Sequence, residues 1–144
     1  MELLRFFLGP GQCDLAGGEI LLEIIIPPLL PRTGGAYIKH GRREAMELPL
    51  LGVGVLLSLE EDMTTCAKAR ICLGVAAPTP LRCFQAENYL VGKTVDENTL
   101  AEAGRLAGEE SRVRDSIRGL AWYRREMVGV LVKRMGLKAF GRAK

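Results

Sequence analysis

Histidine, tryptophan and closely spaced cysteines are scarce in this sequence, and each scarcity removes a class of chemistry. There is one histidine, His40, and one tryptophan, Trp122. The four cysteines, Cys13, Cys66, Cys72 and Cys83, include no CxxC pair. Structural zinc and iron–sulfur sites need such spacings, so no metal site is expected. The N-terminus does not read as a secretory signal, because Met1 is followed by Glu2 and the apolar start soon meets Gly9-Pro10-Gly11. Reduced thiols in the cytoplasm are therefore expected, and a disulfide framework is not. Long apolar runs are absent too. The most apolar segment, EILLEIIIPPLLP at residues 19–31, carries Glu23 and three prolines and falls short of the ~20 residues a bilayer span needs.

Charge of one sign is not in excess. The net charge is +3, too small to argue for nucleic acid or a membrane surface. The basic residues near the C-terminus, Lys133, Arg134, Lys138, Arg142 and Lys144, have only Phe140 among them as an aromatic and no groove-reading motif. A solvated helix end, favoured by the macrodipole, accounts for them. No phosphate-binding loop is apparent: Gly52-Val53-Gly54 lies inside a strand pattern, and Gly9-Pro10-Gly11 opens no helix.

What is present is an ordinary globular composition. The 144 residues are 48% apolar and 26% charged, which suits one domain with a real core. Residues 19–26 are rich in β-branched side chains, with Ile20, Leu22, Ile24 and Ile26 in alternation and Leu21 turned the other way. This predicts a strand ending at Pro27-Pro28. Residues 36–39 read as extended. Residues 51–59 alternate as Leu51, Val53, Val55, Leu57 and Leu59, and residues 67–75 as Ala67, Ala69, Ile71, Leu73 and Val75. The short polar link between these two runs predicts antiparallel pairing.

Helical signals follow. Residues 82–91 suit a short helix stopped by Gly92. Thr94 to Glu97 match a capping box, with Leu100, Ala103, Leu106 and Ala107 repeating after it. A last helix over 120–135 carries Leu120, Tyr123, Met127, Leu131 and Met135 as its stripe, with Gly136 as its stop. Strands first and helices second imply an α+β fold, with helices on one face of an antiparallel sheet. The local chemistry is thin. Glu60-Glu61-Asp62 reads as a hairpin tip, Glu109-Glu110 as a helix end, and His40 as an exposed residue in a polar turn. Composition and spacing reach a soluble α+β domain and stop there.

Four segments carry a resemblance further. They are FFLGPG with GGEILLEIIIP (6–27), AYIKHGRREAMELPLLGVGVLL (36–57), ARICLGVAAPTPLRCFQAENYLVGK (69–93) and SIRGLAWYRREMVGVLVKR (116–134). Together, in this order, they resemble the C-terminal domain of the FAD-binding (medium) subunit of molybdenum hydroxylases. That family includes carbon monoxide dehydrogenase, xanthine dehydrogenase and aldehyde oxidoreductases. The second segment resembles the family's Y-x-K stretch, with Glu47 where aspartate is commoner. The third resembles its P-x-R and A-E-x-x-L-x-G-K run, with Gly74-Val75 where two glycines are common.

The resemblance implies a sandwich of three to four antiparallel strands and about three helices. Residues 1–33 would be the tail of a preceding FAD-binding domain, 34–136 the family domain and 137–144 a basic tail. It also implies that Lys39 points toward the edge of the flavin ring and that Leu21 lies against it. An ammonium at the ring's pyrimidine side favours its reduced, negatively charged form. Tyr123 and Arg124 would be structural. The implied function is a share in the flavin pocket of an oxidoreductase that moves electrons from a molybdenum and iron–sulfur centre to an acceptor. FAD would be shared with an N-terminal flavin-binding domain that holds its diphosphate on two glycine-rich stretches. Molybdopterin and iron–sulfur subunits are the implied partners; nucleic acid and membrane are not. The alternative is an assembly module, or a remnant of such a subunit, without activity alone.

Overall fold

Alternating apolar residues become strands in this protein wherever a neighbour supplies the ladder. The computed structural model describes residues 1–43 and 45–144. In chain order the elements are α1 (Leu3–Phe6), β1 (Phe7–Gly9), β2 (Gln12–Cys13), β3 (Thr33–His40), β4 (Leu51–Leu59), β5 (Cys66–Gly74), β6 (Leu81–Arg82), α2 (Phe84–Leu90), α3 (Glu97–Glu110) and α4 (Ala121–Ala143). Strands β3 to β6 form one antiparallel sheet in sequence order, and β1 and β2 form a separate small hairpin. The expected α+β class is therefore the observed one.

Period-2 patterning sets which face of the sheet is covered. Ala36 on β3, Leu51, Val53, Val55, Leu57 and Leu59 on β4, and Ala69, Ile71 and Leu73 on β5 are all buried on one side. Helix α4 covers β3 and β4, α2 covers β5, and α3 packs against both helices. The core is completed by Leu90, Leu100, Ala103, Val128, Leu131, Val132 and Met135.

The helices depart from the sequence expectations in instructive ways. The capping box of α3 is built two residues later than predicted. Asp96 accepts the amide of Thr99 at 2.7 Å, and Thr99 Oγ1 accepts the amide of Asp96 at 2.9 Å. Thr94 instead bridges to Thr65 at the sheet margin, which takes it out of the capping position. Gly136 does not stop α4, which continues to Ala143. A Cβ at Gly136 would come within 2.5 Å of Leu100 Cδ2, so this glycine serves a close crossing with α3. Residues 137–143, the basic tail of the sequence reading, are helix, with Ala139 and Ala143 buried. The buried stripe of α4 runs through Arg124, Val128, Leu131, Val132, Met135 and Ala139, rotated from the predicted one because Arg124 is drawn inward.

The strand predicted over residues 19–26 does not form; the segment has no regular secondary structure. Ile20, Leu22, Ile24 and Ile26, expected on a core, are 76%, 85%, 58% and 84% exposed. Alternation alone cannot make a strand without a partner to accept its ladder bonds, and no described segment pairs with it.

Val75 adopts φ 63, a left-handed conformation that a β-branched side chain tolerates poorly. The residue is 38% exposed, so its side chain gains little from burial there. Val75→Gly is expected to stabilise the protein by about 1 kcal/mol, since relief of the left-handed strain exceeds glycine's entropy cost. Equilibrium urea unfolding measures this, and an unchanged or lower midpoint would refute it.

Candidate functional site

The face of the sheet turned away from the helices is uncovered by any described element. Its outward positions on β3 are Thr33, Gly35, Tyr37 and Lys39. Through the register these meet Ser58, Leu56, Gly54 and Gly52 on β4, which in turn meet Lys68, Arg70, Cys72 and Gly74 on β5. Arg82 on β6 lies opposite Cys72. Every charge contributed by an outward strand position is positive, from Lys39, Lys68, Arg70 and Arg82.

One end of this face is a floor of backbone. Lys39, Gly52 and Gly74 stand in one row across three strands, with no side chain beyond the lysine. Tyr37 is 69% exposed and lies over that floor. A Cβ at Gly52 would come within 3.0 Å of the Tyr37 hydroxyl, and one at Gly54 within 3.7 Å of the ring. Glycine at 52 therefore lets the phenol lie flat beside the lysine.

Lys39 also borders a shallow cavity of about 300 Å³ with His40, Gly41, Arg42, Arg43 and Glu47. Glu47 organises this loop. Its carboxylate accepts the Arg43 amide at 2.6 Å and Arg42 Nε at 3.3 Å, and these bonds, the Arg43 amide first, hold its pKa below the ordinary carboxylate value. His40 is half-buried rather than exposed, with Nε2 at 3.4 Å from the Tyr123 hydroxyl. Leu21 is 53% exposed in the irregular N-terminal segment and does not line the cavity beside Lys39.

Beneath the basic face lies a buried ion pair. Glu87 on α2 is 4% exposed, accepts the Ile71 amide at 2.8 Å and is bridged by both Arg82 Nε and Nη2. This bond raises the pKa of Arg82. The pair ties β5, β6 and α2 together and leaves the Arg82 guanidinium at the edge of the open face. Arg82 and Glu87 are the charged members of the P-x-R and A-E motifs, so their spacing of five residues was the available signal.

Comparison with known proteins places this geometry. Residues 36–139 match the model of the CO dehydrogenase flavoprotein C-terminal domain. The chain belongs to that family. The carbon monoxide dehydrogenase medium chain of Afipia carboxidovorans is 34% identical over 140 residues, covering 96% of this chain and 47% of that protein. A putative xanthine dehydrogenase FAD-binding subunit of Escherichia coli K12 is 29% identical over 131 residues, 90% of this chain and 44% of the relative. In structure, carbon monoxide dehydrogenase from Hydrogenophaga pseudoflava superposes with a TM-score of 0.89 at 32% identity, covering 96% of this chain and 47% of that one. The chain thus spans less than half the length of these relatives. Residues 1–35 lie outside the match to the family model, and they contain the segment whose predicted strand does not form.

Burial disfavours the thiolate at three of the four cysteines. Burial pushes the Cys83 thiol up to about 12 and the Cys66 thiol up to about 11, and raises Cys72 as well. Cys13 alone is exposed. A thiol reagent at pH 8 is expected to label Cys13 in the native protein and Cys66 and Cys83 only after unfolding, because the thiolate is the reactive form. Mass-spectrometric mapping of the labelled sites checks this; native labelling of Cys83 as fast as Cys13 would contradict it.

Proposed function

We propose that the open sheet face forms part of the wall of a flavin pocket in an oxidoreductase subunit. In this reading electrons reach FAD from a molybdenum and iron–sulfur centre and leave to an acceptor. Family membership supports a role in a FAD-containing subunit. The observation that carries the pocket itself is the row Lys39–Gly52–Gly74, a backbone floor with one ammonium at its rim and the Tyr37 ring across it.

The residues present suit one edge of an aromatic ring that gains negative charge. FAD, when bound, would supply the electron-carrying chemistry. Lys39 would hold a positive charge beside the ring, and in a site closed to water that charge would count for more than in bulk solvent. Tyr37 would exclude water from the ring's face and offer a hydroxyl. Gly52, Gly54 and Gly74 would admit a planar group close to the backbone. No sequence in the described strands and helices matches a diphosphate-gripping glycine loop, so that grip would fall to a preceding flavin-binding domain. Leu21 would join the wall only when such a domain orders residues 19–30. The exposed run Ile20 to Leu30 fits that requirement, because so many adjacent apolar side chains need a covering surface.

A second reading, an assembly module without a flavin role, rests on the same exposed run. It predicts complex formation with no bound flavin.

The test is to combine the chain with a polypeptide carrying the family's flavin-holding loops and to titrate FAD by absorbance and redox potentiometry. Binding is expected in the mixture. Lys39→Ala is expected to lower the flavin potential by on the order of 30 mV, equivalent to about 1.4 kcal/mol for two electrons. A complex with unchanged flavin binding and potential would remove Lys39 from the pocket, and a complex without flavin would favour the assembly reading.

A further inference from the structure

Four arginines converge on a cavity of about 360 Å³ at the end of the sheet where β4 begins and β5 ends. Arg112, Arg114 and Arg118 come from the link between α3 and α4, and Arg124 from the first turns of α4. Pro49 and Val75 supply apolar wall. The cavity is within the range of volumes that hold small molecules.

Among the described residues the charges are not neutralised: none of the four guanidinium groups has a carboxylate within 4.0 Å, although ion pairs of that length occur elsewhere in the chain. The nearest acid in sequence, Asp115, accepts the Ala121 amide at 2.6 Å and so caps α4. Arg124 is only 5% exposed. It donates to the carbonyls of Leu50 at 3.2 Å, of Arg114 at 2.8 Å and of Val75, which use three of its five N–H groups. Burial, and then the charges of Arg118 and Arg114, hold its pKa below the usual guanidinium value. Arg124 is thus a buried cation facing two exposed ones, Arg114 and Arg118, and an anion in the cavity would offset their mutual repulsion. The backbone strain at Val75 lies in the same wall and aims its carbonyl at Arg124.

We propose that this cavity binds a small anion bearing a phosphate or diphosphate group. Guanidinium forks match the oxygen spacing of phosphate and bind it through paired hydrogen bonds. Several forks around one cavity favour a multiply charged group over a single carboxylate. The assignment does not rest on the flavin reading, since none of the four arginines lies on the open sheet face.

The test uses the full chain and inorganic diphosphate and phosphate in calorimetric titrations at constant ionic strength. Saturable binding is expected, tighter for diphosphate than for phosphate. The variant Arg114→Gln/Arg118→Gln removes two side chains that make no hydrogen bond among the described residues, so it should fold, as a circular-dichroism melt would verify. It is expected to bind diphosphate at least about tenfold more weakly. Should that variant be destabilised, Arg118→Gln alone is expected to weaken binding in the same direction. No saturable binding by the unaltered chain, or equal affinity in the variants, would overturn the proposal. So would tighter binding of a hexaglutamate peptide than of diphosphate, which would mark the cavity as a dock for an acidic protein segment.

Discussion

The sheet is buried on one face only, and the rest of the molecule follows from that asymmetry. The long helix α4 lies across β3 and β4 while α2 covers β5, and α3 fills the space between the helices. Large aliphatic residues therefore concentrate at one set of alternate strand positions. The opposite set is released from core packing and can carry glycine, tyrosine and cations. A second layer of helix on that side would have required apolar residues at 37, 39, 52, 54 and 74.

Close approach between layers depends on small residues at the crossings. A Cβ at Gly104 would come within 2.5 Å of the Gly129 carbonyl oxygen, and one at Gly34 would collide with backbone at Ala139 and Ala143. These contacts set α4 deep against β3 and α3, which is why the helix continues through Gly136 instead of ending there. Two buried charges then lock elements that hydrophobic contact alone would let slide. Arg124 joins the start of β4, the end of β5 and the α3–α4 link through three carbonyls. Glu87 joins α2 to β5 and β6. Burial of such groups costs several kcal/mol when unpaired, so their hydrogen bonds are obligatory rather than ornamental.

Much of the architecture could be read from residues 51–59 and 67–75, whose alternation named both the pairing and the buried face. Lys39 was legible as a residue of interest through its motif. Tyr37 was legible in principle, being two positions away on the same strand, but nothing local distinguished it from a surface aromatic. Residues 19–26 had the best strand pattern of the N-terminal region and form no strand, because pairing is a property of two segments and no described segment pairs with this one. The Arg124 cluster escaped notice for a related reason. Arg112, Arg114 and Arg118 lie in a polar link and Arg124 at the start of the last helix, and only the fold turns them onto one cavity.

Hydrophobic periodicity, turn residues and family motifs were enough to determine the α+β class, the antiparallel hairpin and the membership of this chain, because each is a local or collinear property. Which carboxylate capped α3, where α4 ended, which glycines were crossings, and which cations shared a face were decided by tertiary contact. Each depends on distances between residues remote in sequence, such as Gly136 with Leu100 or Arg124 with Leu50, and no one-dimensional pattern encodes those distances.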